Sequence, residues 1–506
     1  MNSLPFRSGM KCAARLMAAL AATAAFFLMG GCGSGVHLPT GGTNQGFSNA
    51  SLNGHYAFTL RGVGTPDNVN GFSFVEGGVF TADGSGNLTS ITDDFIENFQ
   101  SGFGLQATGT YTIRPDGSGD LTFNFGPNNF AQYHITLSDD SHFYMEEDDG
   151  FNASAGSGER QDTTAFGTVP SGTFVIQTHD LVEGNSKVGV TTWSSGLITG
   201  TGEVLSGGSV QPVTISGSAQ VSGSSTGRGS VTITDDVGTS DYFYYIVNSN
   251  RIRLFNSDFS TSLGLGQAEA QTGGPFSLAS LNGSYVFGSA GETTNLDGIH
   301  TVGLFTTNGA GTVNSGSFDY VQDGNVVTPI TLAPTPASSY TVDASGHAVV
   351  TLNLSTGVTN VKHLFLVSPT RAFFLVSDPV NVEDGTLDMQ TGSFSNGSLN
   401  GQAAFFMDGF DGLYKDRVGT LTPNGSGNIN TAYRSSFFDP VNIVGGAQDN
   451  AFSGTYAVGS NGRATAQFSG FTNNLIFYLS SSNTGYFLQA DSGVDIGGAL
   501  RLQTGP

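Results

Sequence analysis

The chain has 506 residues, 38% of them hydrophobic and only 11% charged, with 74 glycines, 39 phenylalanines, one tryptophan and two cysteines. That length suits roughly three to five domains, and so much glycine disfavours helix bundles, because Gly costs about 1 kcal/mol at a helix-interior site. Seventeen basic against 40 acidic residues leave a net charge of −23, which sets nucleic acid aside as a partner, while the aromatic content argues against a disordered chain.

Arg7, Lys11 and Arg15 precede an uncharged stretch from Leu16 to Met29. It is shorter than the roughly 20 residues that span a bilayer as a helix. A basic start, a short apolar core and then small residues form the pattern of a secretory signal. The stretch ends Leu28-Met29-Gly30-Gly31-Cys32, which resembles a bacterial lipoprotein signal. The resemblance implies cleavage before Cys32 and a lipid on that cysteine, with Gly33 after it fitting export to the outer membrane. Cys12 would leave with the leader, so Cys32 has no disulfide partner in the mature chain. Gly33 to Gly46 then reads as a tether spanning on the order of 20 Å.

Internal repeats set the architecture. Ser51-Leu52-Asn53-Gly54 recurs as Ser280-Leu281-Asn282-Gly283 and Ser398-Leu399-Asn400-Gly401, with a degenerate copy at Pro170-Ser171-Gly172. The same landmarks follow each in order. A strand with alternating large residues (Tyr56 and Phe58 in the first copy) leads to a strand carrying one glycine, Gly78, Gly189, Gly303 or Gly419. Asx-Gly turns such as Asp83-Gly84-Ser85-Gly86-Asn87 come next, then a strand opening with Tyr111, Tyr340 or Tyr456, then aromatic strands. Each copy ends in glutamine: Gln161, Gln271, Gln390 and Gln503.

Alternation with period two buries one face, Asx-Gly supplies the positive φ of tight hairpins, and mid-strand glycine marks a bend or bulge. A meander of about eight short strands hides its edges most simply by pairing the last strand with the first. The predicted fold is therefore all-β: four tandem modules, each an up-and-down antiparallel β-barrel of about eight strands, with a two-sheet sandwich as the alternative. The expected divisions are a signal peptide 1–31, a tether 32–46, and modules 47–163, 164–273 (divergent), 274–392 and 393–506. Short, uniform links between copies predict beads with limited freedom.

The modules resemble avidin- and lipocalin-type barrels in length and strand count. More specifically, the SLNGxYxF, DGxGN, GTY and terminal-Gln landmarks resemble uncharacterised bacterial tandem β-repeat lipoproteins. That resemblance implies a lipid-anchored extracytoplasmic protein and brings no activity with it.

No His, Asp or Glu recurs in all four copies, so a fourfold catalytic site is not expected. The terminal glutamines are expected to bond across each barrel closure, with a ligand-facing role as the alternative. The eight histidines form neither HExxH nor His-x3-His, which removes the spacing support for a zinc hydrolase. Gly223-Ser224-Ser225-Thr226-Gly227 matches GxSxG formally but lacks the following helix. Asp93, Asp94 and Glu97, and Glu146, Glu147, Asp148 and Asp149, read as solvated acidic loops, with weak calcium binding as the alternative. A glycosidase carboxylate pair is tested by distance, which sequence does not give. Trp193 is expected at a barrel rim, where it either packs or stacks on a sugar. The sequence thus predicts a non-catalytic surface protein without cofactor or metal, structural or adhesive. Its partners would be the membrane, through lipid on Cys32, and a surface glycan or small ligand. The alternative is a binding protein holding a small apolar or saccharide ligand in or at the rim of a barrel.

Overall fold

The computed structural model describes residues 46–64, 72–97, 100–148, 152–180, 185–223, 225–258, 264–293, 298–378, 381–439, 444–469 and 474–505. Four antiparallel sheets follow one another along the chain, one for each repeat. In the first, second and fourth, eight strands pair in order and the last closes on the first: Asn53–Gly64 with Ala153–Arg160, Gly172–Asp180 with Gly264–Ala270, and Ala403–Phe410 with Asp495–Leu502. Alternation sends one side chain in two inward. Tyr56, Phe58, Phe80, Phe123, Tyr133 and Phe143 fill the first barrel, and comparable aromatic and aliphatic sets fill the others.

The third module departs from the expected closed barrel. Its fourth strand is broken into Asn325–Thr331, which pairs with the third strand, and Ser339–Val342, which pairs with the fifth. Pro329, Pro334 and Pro336 lie within or between the two pieces. Proline cannot donate to a ladder, and three prolines within eight residues break the pairing that a single one tolerates. Only the isolated bridges Thr312–Ser339 and Leu332–Leu354 cross the seam.

The recurring motifs have local physical reasons. Ser51, Ser280 and Ser398 complete reciprocal caps with Ser48, Ser277 and Ser395 around a short 3-10 turn. The tyrosine hydroxyl of the GTY landmark then donates to the carbonyl of the motif leucine: Tyr111 to Leu52, Tyr340 to Leu281 and Tyr456 to Leu399, at 2.7–2.8 Å. SLNG and GTY are thus two halves of one plug at the barrel end. In the Asx-Gly turn Asp83 Oδ1 accepts from the amides of Ser85 and Asn87, with Gly84 and Gly86 at φ of 75° and 106°.

The modules do not hang as beads; they form a ring. Apolar patches on barrel exteriors join the first module to the second (Ala57, Val75, Val79 and Ile96 against Tyr245, Val247 and Phe255). Similar patches join the second to the third and the third to the fourth. The fourth module packs back on the first: Phe406 lies 5.0 Å from Tyr144, and Arg434 pairs with Asp148 at 2.6 Å.

The terminal glutamines bond across their own barrel closures through their backbone amides, Gln161 to His55, Gln271 to Thr173, Gln390 to Ser284 and Gln503 to Gln402, while their side chains close the ring. Each Nε2 donates to two backbone carbonyls of the next module. Gln161 reaches Ile246 and Thr226, Gln271 reaches Leu366 and Ser345, Gln390 reaches Leu479 and Asn461, and Gln503 reaches Leu137 and Asp116 of the first module. The amide after each glutamine repeats the pattern, Asp162 to Val247, Thr272 to Val367, Thr391 to Ser480 and Thr504 to Ser138. Four equivalent junctions around one circle give the molecule a pseudo-fourfold axis.

Candidate functional site

Cys32 lies outside the described residues, as does Ser224 of the GxSxG match. Trp193 is a correction to the expected rim contact. It is 1% exposed, packs against Phe174 and Tyr244 in the second core, and donates its indole N–H to Thr191 Oγ1 at 3.0 Å. It therefore has no exposed face for a sugar. Aromatic and aliphatic side chains fill the barrel cores, while one end of the second barrel opens into a cavity of about 230 Å³ lined by Thr178, Asp180, Lys187, Tyr242 and Asn256. The fourth holds a cavity of about 20 Å³ beside Phe405, Met407, Arg417 and Tyr433, room for about one water.

The acidic clusters are also not the solvated loops expected. Asp93, Asp94, Glu146 and Glu147 are buried. Asp93 and Glu147 lie near Tyr133, whose hydroxyl donates to Glu76. Burial and these three carboxylates push the Tyr133 phenol well above its ordinary range. Asp94 serves the first junction: Arg228 donates from Nε and Nη2 to its two oxygens at 2.8 and 2.7 Å, and the Tyr245 hydroxyl adds a third bond at 2.7 Å. Asp319, Arg463 and Tyr478 build the same triad at the third junction, at 2.7, 2.7 and 2.5 Å.

Strand registers show what stands in these positions elsewhere. The carboxylate follows the residue paired with the mid-strand glycine, which makes Asp94, Glu203, Asp319 and Arg434 equivalent. Its partner follows a turn glycine whose carbonyl accepts from the sixth strand, which makes Arg228, His347 and Arg463 equivalent, with Ser118 in the first module. At the second junction the arginine is thus replaced by His347. A second imidazole, His363, stands where the second and fourth modules carry Phe243 and Ile476. His347 Nε2 and His363 Nδ1 lie 3.3 and 2.9 Å from Glu203 Oε2. All three ligand atoms fall within 4.8 Å of one another, the one such group of His, Cys, Asp and Glu among the described residues. The two imidazoles hold the Glu203 carboxyl down at about 2 against the effect of burial, and Glu203 in turn raises His347 above its usual value.

A second ring of polar contacts lies on the seventh and eighth strands. Glu159 accepts from Arg251 at 2.8 Å, Glu269 from Arg371 at 2.9 Å, and Asp388 from the Tyr486 hydroxyl at 2.5 Å, each bond crossing to the next module. The cross-strand pairs Arg251–Glu269 and Arg371–Asp388 have the equivalent Thr484–Arg501 in the fourth module. There the arginine has become a small threonine and the acid an arginine, and the space left forms a cavity of about 380 Å³. Tyr144, Asp388, Tyr486, Thr484 and Arg501 line it, drawn from the first, third and fourth modules. Burial pushes the Tyr144 phenol up to about 12, and burial with Asp388 raises the Tyr486 phenol well above its ordinary range. Both hydroxyls therefore remain protonated donors. Aromatic rings with hydroxyls, a carboxylate and a guanidinium around one volume suit a polar ligand rich in hydroxyl groups.

No family model and no curated protein matches the chain. Among solved structures, the crystal structure of CghA matches over 90% of this chain and 90% of that one, at 8% identity and a TM-score of 0.15. The crystal structure of CghA with Sch210972 matches over 92% and 98%, at 6% identity and a TM-score of 0.15. At that level of similarity they carry no argument about this protein.

Proposed function

We propose that the protein is a non-catalytic, extracytoplasmic surface protein, lipid-anchored through Cys32, whose four modules form a rigid adhesive unit at the outer membrane. The observation that carries this reading is the ring itself: the glutamine repeated in all four copies pins each module to the next, and the SLNG and GTY residues of three copies plug their barrels. The lipoprotein-like leader supports the location. Cys32→Ser should move the protein from the membrane to the soluble fraction of an exporting bacterial host; unchanged partitioning refutes the anchor.

The cavity of about 380 Å³ favours one elaboration, a saccharide ligand held where the ring closes. Tyr144 and Tyr486 would offer ring faces, and Asp388, Thr484 and Arg501 would meet hydroxyls. A glycan screen with the secreted Cys32→Ser protein should find a ligand whose affinity falls at least about tenfold in Arg501→Ala, the loss of one charge-assisted bond. Undiminished binding in that variant refutes this site.

A further inference from the structure

We infer that Glu203, His347 and His363 form a divalent transition-metal site, best suited to Zn2+, that clasps the second module to the third. The second junction departs from the pseudo-symmetry of the ring. At the sister junctions the buried carboxylate meets an arginine fork and a tyrosine hydroxyl, with every contact directed along an N–H or O–H bond. At the second junction the carboxylate is kept and the fork is exchanged for two imidazoles, with Phe365 in place of the tyrosine. The contacts are short, yet none has hydrogen-bond geometry: Glu203 Oε2, His347 Nε2 and His363 Nδ1 are all shut from solvent and without a hydrogen-bond partner. Glu203 itself is 8% exposed. Three potential ligand atoms converge where the sister junctions bring donors to acceptors.

The spacing suits a small cation. Bonds of about 2.0 Å in a tetrahedral zinc site put neighbouring ligand atoms about 3.3 Å apart. Glu203 Oε2 stands 3.3 Å from His347 Nε2 and 2.9 Å from His363 Nδ1, and the two nitrogens lie within 4.8 Å of each other, so small side-chain shifts seat the ion. Pairing of His347 with Phe365 and of Val349 with His363 makes the two histidines diagonal neighbours on adjacent strands of one sheet. The sheet therefore fixes both imidazoles, and His347 packs at a tilt against the Phe365 ring, centroids 4.8 Å apart. The Asp343 carboxylate lies 4.0 Å from His347 Nδ1, on the far side of the ring from the site. Two nitrogens and one oxygen are a borderline donor set, matched to zinc rather than to calcium or magnesium. Three protein ligands leave a fourth position for water.

The sister junctions also supply the test, because they show which side chains this position tolerates. Tag-free protein stripped with chelator and dialysed against micromolar Zn2+ should retain one equivalent per chain by elemental analysis. Co2+ in its place should give visible bands of nitrogen and oxygen ligation without a thiolate charge-transfer band. His347→Arg with His363→Phe supplies the arginine and the phenylalanine that the first junction carries at these positions, so it should fold and bind no zinc. Glu203→Gln should weaken zinc at least about tenfold, and saturating zinc should raise the thermal midpoint of the wild type alone. The proposal fails if the stripped wild type takes up no zinc, if the cobalt bands report thiolate, or if the His347→Arg/His363→Phe protein keeps its equivalent. Should that double variant not fold, an unchanged zinc affinity in Glu203→Gln overturns the proposal by itself.

Discussion

Arg228 and Arg463 each commit a whole guanidinium fork to a carboxylate that solvent does not reach. Such a pair gives little net stability over apolar packing, but removing one partner strands a buried charge, at about 3–5 kcal/mol. Arg228→Ala should therefore lower unfolding stability by that amount. Replacing Asp94 and Arg228 together with leucine and methionine should recover most of it; denaturant titration of the single and double variants measures the difference. Glu146, at the closing junction, poses the opposite problem. It is fully buried, and burial with Asp416 and Asp148 nearby outweighs Arg434 and raises its pKa well above the usual value. The folded state then holds a proton that the unfolded state releases above about pH 4.5, so this group's contribution is complete in acid and is lost as pH rises toward the folded pKa. Over that window wild-type stability should fall with a slope of up to about 1.4 kcal/mol per pH unit from this group. Glu146→Gln should remove that share of the slope, as thermal melts at stepped pH would show. None of these pairings was legible in the sequence, where Asp94 and Arg228 stand 134 residues apart and the acidic runs look like surface loops. What could be read was that the four glutamines do scaffold work, because they recur; whom they bond could not be read, because a backbone carbonyl has no sequence signature.

At the scale of elements the sequence was far more informative. Period-two alternation, Asx-Gly turns and the glycine at one equivalent position of every second strand all match the strands found, since hairpins are local and their requirements are written within a dozen residues. The broken strand of the third module was equally local: Pro329, Pro334 and Pro336 sit where the other modules have an unbroken fourth strand, and the regularity of the repeat masked them. The seam should have a dynamic consequence. Backbone amides without a continuous ladder open more readily. Hydrogen exchange by mass spectrometry should find peptides within Asn325–Val342 exchanging at least about tenfold faster than those of Gln100–Ile113 in the first module. Equal protection would mean that the two bridges close this barrel as firmly as a full strand does.

For the whole molecule, the repeat alone does not distinguish a string from a ring. A glutamine that pins each module to the next is satisfied in a string for three copies and left over in the fourth; Gln503 shows where it goes, onto Leu137 and Asp116. The surroundings agree. A Cβ added to Gly117 would lie 2.6 Å from Gln503 Nε2 and 3.1 Å from the Phe47 ring, just as one on Gly462 would lie 2.5 Å from Gln390 Nε2 and 3.3 Å from Phe394. Gln503 and Phe47 therefore stand to each other as Gln390 and Phe394 do. The sequence between the latter pair is Thr391-Gly392-Ser393, and Gln503 is followed by Thr504-Gly505. Joining Gly505 to Phe47 through one serine rebuilds the existing link between the third and fourth modules. A circular permutant made that way, with new termini at Gly392 and Ser393, should fold with a thermal midpoint within a few degrees of the parent, because every junction is retained. Deleting residues 393–506 instead should uncover Val286, Val302, Leu304 and Val321 and produce concentration-dependent association in analytical ultracentrifugation. If the permutant unfolds while the truncated chain stays monomeric, the modules are strung in a line and the fourth junction does not hold.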